Sequence, residues 1–216
     1  MKWMWIAGVA GLLPGIGGQA AAKPLKVLIL AGQSNMEGHA AVSTFDHIGM
    51  DPKTAPLLKE MRNADGTPRV CDKVDIAFFS SKGGWGKEPT PVHKQGKLTT
   101  DFGAQGHGPQ IGPEFTFGIF MQKQLNEPIL IIKTAWGGKS LNTDFRPPSA
   151  GPYQWNEQTA GQISVENKEK KKAATGRFYR EMIEDVLKVL ADPGKVCPSY
   201  DKQDGYELRF RRVPLT

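Results

Sequence analysis

Lys26-Val27-Leu28-Ile29-Leu30-Ala31-Gly32-Gln33-Ser34-Asn35-Met36-Glu37-Gly38 is the stretch on which the fold turns. An unbroken apolar run, Val27 to Ala31, stops at Gly32, and a lone serine follows two residues later. The run is short, partly β-branched and flanked by turn formers, which predicts a strand buried on both faces. Gly32 permits a sharp backbone turn. Asn35 suits the N-cap of a helix beginning at Met36. Ser34 then stands at the carboxyl end of a central strand, where open α/β sheets place their ligand crevice. Two roles fit it there: nucleophile, or a plain helix cap.

Working outward, Ile129–Ile132 is a second β-branched core strand, followed by Thr134-Ala135-Trp136-Gly137-Gly138-Lys139-Ser140. Before it, Pro113-Glu114 is favourable chemistry for a helix start. Phe115–Leu125 reads as a helix apolar almost all round, hence buried. Strand, helix, strand in this order argues for an α/β fold with a central parallel sheet and helices on both faces. Val74–Phe79 reads as another strand and Thr54–Met61 as a short helix. Ser80–Gln95 reads as a Gly/Pro-rich loop carrying Trp85 and His93, with Lys97–Phe102 returning as a hairpin partner. Phe102–Gly112 is a glycine-rich loop holding His107, and Thr143–Thr159 an irregular one holding Tyr153 and Trp155. Over Ser164–Ala191, Phe178, Met182, Val186 and Leu190 recur at four-residue steps with Ile183 and Leu187 beside them, which predicts one amphipathic helix. Asp192-Pro193-Gly194 closes it.

The chain has 216 residues, enough for one domain with a full core. Residues 1–22 form a separate segment. Lys2 precedes the mostly apolar Trp3–Leu13, and Ala20-Ala21-Ala22 offers a small-residue cleavage site before Lys23, the pattern of a secretory signal peptide. The apolar run is too short for a bilayer, so the alternative of a transmembrane anchor ranks second, and no membrane partner is expected after cleavage. The formal charge of +6 comes largely from two runs, Lys168/Lys170–Lys172 and Arg209/Arg211/Arg212. Neither is interleaved with aromatics, so each reads as a solvated face and no nucleic-acid partner is inferred. Cys71 and Cys197 are compatible with one disulfide or with two buried thiols, and their separation gives no metal-ligand spacing.

Gly32-Gln33-Ser34-Asn35-Met36, then Gly112-Pro113-Glu114, then Thr134-Ala135-Trp136-Gly137-Gly138-Lys139-Ser140 resemble, in order and spacing, the sialate O-acetylesterase-like carbohydrate esterases of the SGNH hydrolase superfamily. The resemblance spans roughly residues 24 to 208. It implies a three-layer, flavodoxin-like α/β sandwich over 23–208 and an acetyl-releasing serine esterase acting on acetylated carbohydrate, with no cofactor and no metal. Ser34 matches the nucleophile, and its own N–H faces the oxyanion. Gly138, or its neighbour Gly137, matches the second oxyanion donor; such a donor contributes on the order of 3 kcal/mol. Gln33, Asn35 and Trp136 fall at the substrate side, with Gln33 equally readable as structural. Glu114 reads as a helix N-terminus partner.

The resemblance also implies a later Trp-Phe-Gln-Gly…Asn block and an Asp-x-x-His block that supplies acid and base. Here Gly205-Tyr206-Glu207-Leu208 is followed by the atypical basic tail 209–216 and neither block, so a shifted frame or premature end is the expectation. No general base is assigned. His39 lies on another face if the first helix continues, His47 and His93 sit in loops, and His107 is the one beside a motif. Two further readings compete with the esterase. One is an inactive fragment or residual sugar-binding module using Trp85, Trp136, Tyr153 or Trp155. The other, a nucleotide-binding domain, fails because no Gly-x-Gly-x-x-Gly or Walker pattern follows either strand. The sugar, the acetyl position and the oligomeric state are not written in the sequence.

Overall fold

A computed structural model describes residues 23–82, 89–105, 108–156 and 164–209. Residues 1–22, Trp85, His107 and residues 210–216 lie outside them. Five strands form the main sheet: β1 (Leu25–Gly32), β3 (Val74–Lys82), β4 (Thr90–Lys97), β6 (Ile129–Ala135) and β7 (Tyr206–Arg209). Their order is β4-β3-β6-β1-β7, all parallel except β4, which runs antiparallel to β3. A small antiparallel pair, β2 (Ala40–Ala41) and β5 (Gln110–Ile111), lies apart from it. The helices are α1 (Ser34–Glu37), α2 (Thr44–Met50), α3 (Ala55–Met61), α4 (Pro113–Leu125), α5 (Val165–Ala174) and α6 (Arg177–Ala191).

Strand alternation divides the core between the two faces. Leu28, Ile76, Phe78, Ile129 and Ile131 meet Phe45, Met61, Phe115 and Ile119 of α2, α3 and α4. Val27, Ala77, Phe79, Leu130 and Ile132 meet Val186 and Val189 of α6, with Val196 and Cys197. The expected α/β sandwich with a mostly parallel central sheet is therefore the fold. β6 is buried along its whole length, as a strand covered on both faces should be. β1 is buried at Leu25–Leu28 but opens toward its end, where Ala31 is exposed.

Several expectations change. α1 starts at Ser34 itself, with Gln33 as N-cap and no side-chain capping bond, so Asn35 does not cap it. Within the predicted 80–95 loop, the described residues 80–82 and 90–95 are strand: β3 runs on to Lys82, and its hairpin partner is Thr90–Lys97, not 97–102. The long terminal helix is two. Gly176 adopts φ +72° and breaks it, leaving α5 exposed with Ser164 accepting from Asn167 N–H at its start. Phe178, Val186 and Val189 carry the buried stripe of α6, whereas Ile183 and Leu187 face solvent. α4 buries Phe115, Gly118 and Ile119 but leaves Phe120 exposed. Arg209 belongs to β7 and not to the tail. Cys71 and Cys197 are both free and buried, in the cores on opposite faces of the sheet. Among the described residues, no helix is long and apolar enough to cross a membrane.

Candidate active site

Parallel pairing of β1 with β6 aligns Gly32 with Ala135, and Trp136 N–H donates to Gly32 O at 3.3 Å. Both strands end at the same level, so the residues two positions further on, Ser34 and Gly137, become neighbours. A Cβ built on Gly137 would lie 3.9 Å from Ser34 Cβ. Gly138, at φ +69°, turns the chain away with open space where a side chain would go. Only glycine adopts that backbone readily, and its bare Cα leaves the bend accessible.

The serine turn is held tightly. Gln33 O accepts from Met36 and Glu37 N–H, both at 2.8 Å, and Gly38 N–H donates to Ser34 O at 3.0 Å. At Gly38 the chain takes φ +84° and passes so near β5 that an added Cβ would stand 2.2 Å from Gly112 Cα. The helix therefore cannot continue, and His39 comes round to the cavity that Ser34 lines instead of a different face. Ser34 Oγ donates to Gln33 Oε1 at 3.1 Å. Gln33 and Asn35 are exposed beside it.

Beneath this turn lies Glu37, 4 % exposed. Its Oε1 accepts from Ser80 Oγ at 2.6 Å, and its Oε2 stands 3.4 Å from Nε2 of the half-exposed His39. Lower still, Lys133 of β6 is wholly buried. Its Nζ donates to Glu114 Oε2 at 2.6 Å, Phe102 O at 2.7 Å and Glu37 O at 2.9 Å. Three donors meet three acceptors, which satisfies an ammonium completely. Glu114 Oε1 in turn accepts from Gly112 N–H at 2.9 Å. The pair thus ties the end of α1, the loop at Phe102 and the start of α4 to the central strand. Burial pushes the Glu114 carboxyl up and the Lys133 amine down, each opposed by the other's charge. Glu114 is therefore more than a partner for its own helix end.

Trp136 is almost fully buried, its ring 5.3 Å from Phe178 and 6.0 Å from Phe145 between centroids. With Phe79, His93, Phe178, Glu184 and Asp185 it lines a second cavity of about 260 Å³. His93 stacks on Phe79 at 4.5 Å, away from Ser34's cavity, and His47 sits exposed on α2. Tyr153 and Trp155 pack edge to face, with Lys171 over both rings. No group of His, Cys, Asp and Glu able to hold a metal occurs among the described residues.

Burial pushes the Asp185 carboxyl up to about 6; Lys188 opposes this, and Glu181 and Glu184 add to it. Its folded value lies above its unfolded one of about 4. Between those values the folded chain holds the extra proton, so stability falls as pH rises through that window, and the penalty is complete above it. Asp185→Asn is expected to raise the melting temperature at pH 7 to 8 and to leave it unchanged near pH 4. Thermal unfolding at both pH values checks this; equal shifts at both would refute it.

A serine on a tight turn after a parallel strand, beside a diglycine bend closing the next strand, is an arrangement consistent with an SGNH-type α/β fold. The chain belongs to the family described as "carbohydrate esterase, sialic acid-specific acetylesterase", whose model matches residues 24–185. Comparison with the curated proteins and with the solved structures gives no match.

Proposed function

We propose that this chain is a serine-dependent carbohydrate esterase that releases acetate from acetylated sugars. One observation carries the reading: Ser34 and Gly137, the first residue of the diglycine bend, stand side by side at the carboxyl edge of the sheet. In this reaction Ser34 Oγ attacks the acyl carbon while its proton passes to a base. The oxyanion is held by the Ser34 amide and by one amide of the diglycine bend, and the sugar hydroxyl leaves. Water then hydrolyses the acetyl-serine. The amides act because they are fixed before charge develops, so no reorganisation is needed at that moment.

Chemical labelling tests the nucleophile directly. An alkyl fluorophosphonate should add once, with a serine O–P bond formed and fluoride released, and mass spectrometry should place the adduct on the peptide bearing Ser34. Labelling elsewhere, or none, counts against the reading. His39 is the companion arm, because it shares the Ser34 cavity and adjoins a buried carboxylate. Loss of turnover in His39→Ala comparable to that in Ser34→Ala assigns the proton transfer to it, and unchanged turnover places the base elsewhere. A second reading, a sugar-binding module without chemistry, is favoured by the Ser34 hydroxyl being turned toward Gln33. Glycan binding with neither labelling nor turnover would select it. We also propose that residues 1–22 direct export and are removed; N-terminal sequencing of the secreted protein should then begin at Lys23.

A further inference from the structure

We propose that the second cavity, walled by β3, β4 and α6, is a subsite for one uncharged glycosyl unit. The preferred substrate is then an acetylated oligosaccharide, not a free monosaccharide, with the ester-bearing unit at Ser34. The inference rests on the esterase reading above and extends it to substrate class. Two contacts put the cavity next to the nucleophile's turn. Trp136, on its wall, directly precedes Gly137, the residue whose added Cβ would lie 3.9 Å from Ser34 Cβ. Ser80, also on the wall, donates through Oγ to Glu37 Oε1 at 2.6 Å, and Glu37 ends the one-turn helix that Ser34 begins.

At about 260 Å³ the cavity suits one sugar ring and not a chain, since sites for drug-sized ligands run from about 300 to 1,000 Å³. A pyranose presents a flat C–H face and a rim of hydroxyls. The face packs on an apolar plane, and the hydroxyls require hydrogen-bond partners once water is excluded. Both are on this wall. His93 is exposed and lies 6° from parallel to Phe79, so the imidazole is a flat platform with a second ring behind it. Burial and the Lys188 charge hold His93 below its ordinary value, which keeps the imidazole neutral near pH 7. From α6, Glu184 and Asp185 line the same space, and neither carboxylate accepts a hydrogen bond from a described residue. Glu181, by contrast, accepts from Arg177 Nε at 2.6 Å. Asp185 is half-buried without a donor, the condition that makes its ionised form costly, and sugar hydroxyls are the donors it lacks. With Arg177 and Glu181 paired, Glu184 and Asp185 outnumber Lys188, which disfavours a carboxylate-bearing unit.

The test gives the whole chain mono-O-acetylated lactose, cellobiose and xylobiose, each beside the matching acetylated monosaccharide. Expected is a KM about tenfold lower for at least one disaccharide than for its monosaccharide, with similar kcat. In Asp185→Asn and in His93→Ala that advantage should disappear through KM, while the monosaccharide and 4-nitrophenyl acetate keep their rates. Both variants should fold, since His93 is exposed and Asp185→Asn is expected to stabilise the chain at neutral pH. No preference for any disaccharide, or a preference that both variants leave unchanged, would overturn the proposal. So would an equal loss on 4-nitrophenyl acetate, or a stronger preference for an acetylated digalacturonate. If no ester is turned over faster than by Ser34→Ala, the esterase reading itself fails. The cavity is then judged by NMR titration with the three unacetylated disaccharides. Saturable shifts at Val92 and His93, with binding about tenfold weaker in Asp185→Asn, support the subsite, and their absence refutes it.

Discussion

Ser34→Ala is expected to cut ester hydrolysis by at least about a thousandfold, the largest effect of any single substitution in this chain. The hydroxyl is the group that would bond the acyl carbon, so no neighbouring amide replaces it. In a complete triad the loss approaches roughly a factor of 10⁶, and what survives comes from oxyanion stabilisation and substrate binding alone. The variant should fold normally, because the one hydrogen bond Oγ makes runs to exposed Gln33. Turnover of 4-nitrophenyl acetate and of an acetylated sugar, with the melting temperature as control, measures it. Equal rates for the two proteins would show that Ser34 performs no chemistry.

Lys133→Met carries the largest expected effect on stability, about 3–5 kcal/mol. Methionine keeps the length of the side chain but removes the charge, leaving Glu114 buried without its cation. It also orphans the carbonyls of Glu37 and Phe102, both of which Lys133 satisfies. Removing both partners, as in Lys133→Met with Glu114→Leu, should cost less than the single change, since an apolar pair of similar volume leaves no uncompensated charge. Urea unfolding of the three proteins decides the matter. A single variant losing under about 1 kcal/mol would mean that the pair is not held as described. Because Lys133 grips the carbonyl of Glu37, the double variant should also loosen the serine turn, visible as faster amide exchange at Gly38.

The parts of this fold legible in the sequence were those whose residues act locally. Val27–Ala31 and Ile129–Ile132 are apolar runs with β-branched members, and each lies within a core strand. What escaped depends on partners distant in sequence. Thr90–Lys97 looks like a loop because it carries Pro91, Gly96 and alternating exposed polar residues; those same features mark an edge strand protected from further pairing. The helix break at Gly176 was masked by good helix formers on both sides, and only the backbone at φ +72° reveals it. At the site, Ser34 and the diglycine bend were recognisable by type. Their meeting depends on the register that sets Gly32 opposite Ala135, which no local pattern encodes. Lys133 was the overlooked signal: a lone cation within an apolar strand, pointing to a buried acid in another element. The route of His39 to the cavity is hidden for a related reason, since the forced bend at Gly38 comes from contact with Gly112, 74 positions later.

The two thiols occupy separate compartments, with the sheet between them. Burial pushes Cys71 up to about 11 and raises Cys197 as well, so neither supplies much thiolate near neutral pH. Alkylation by iodoacetamide therefore has to wait for the chain to open. Modification at Cys71 reports loosening of the layer built from α2, α3 and α4, and modification at Cys197 reports release of α6. One reagent, read at two peptides, would show whether the two layers come away together or in turn.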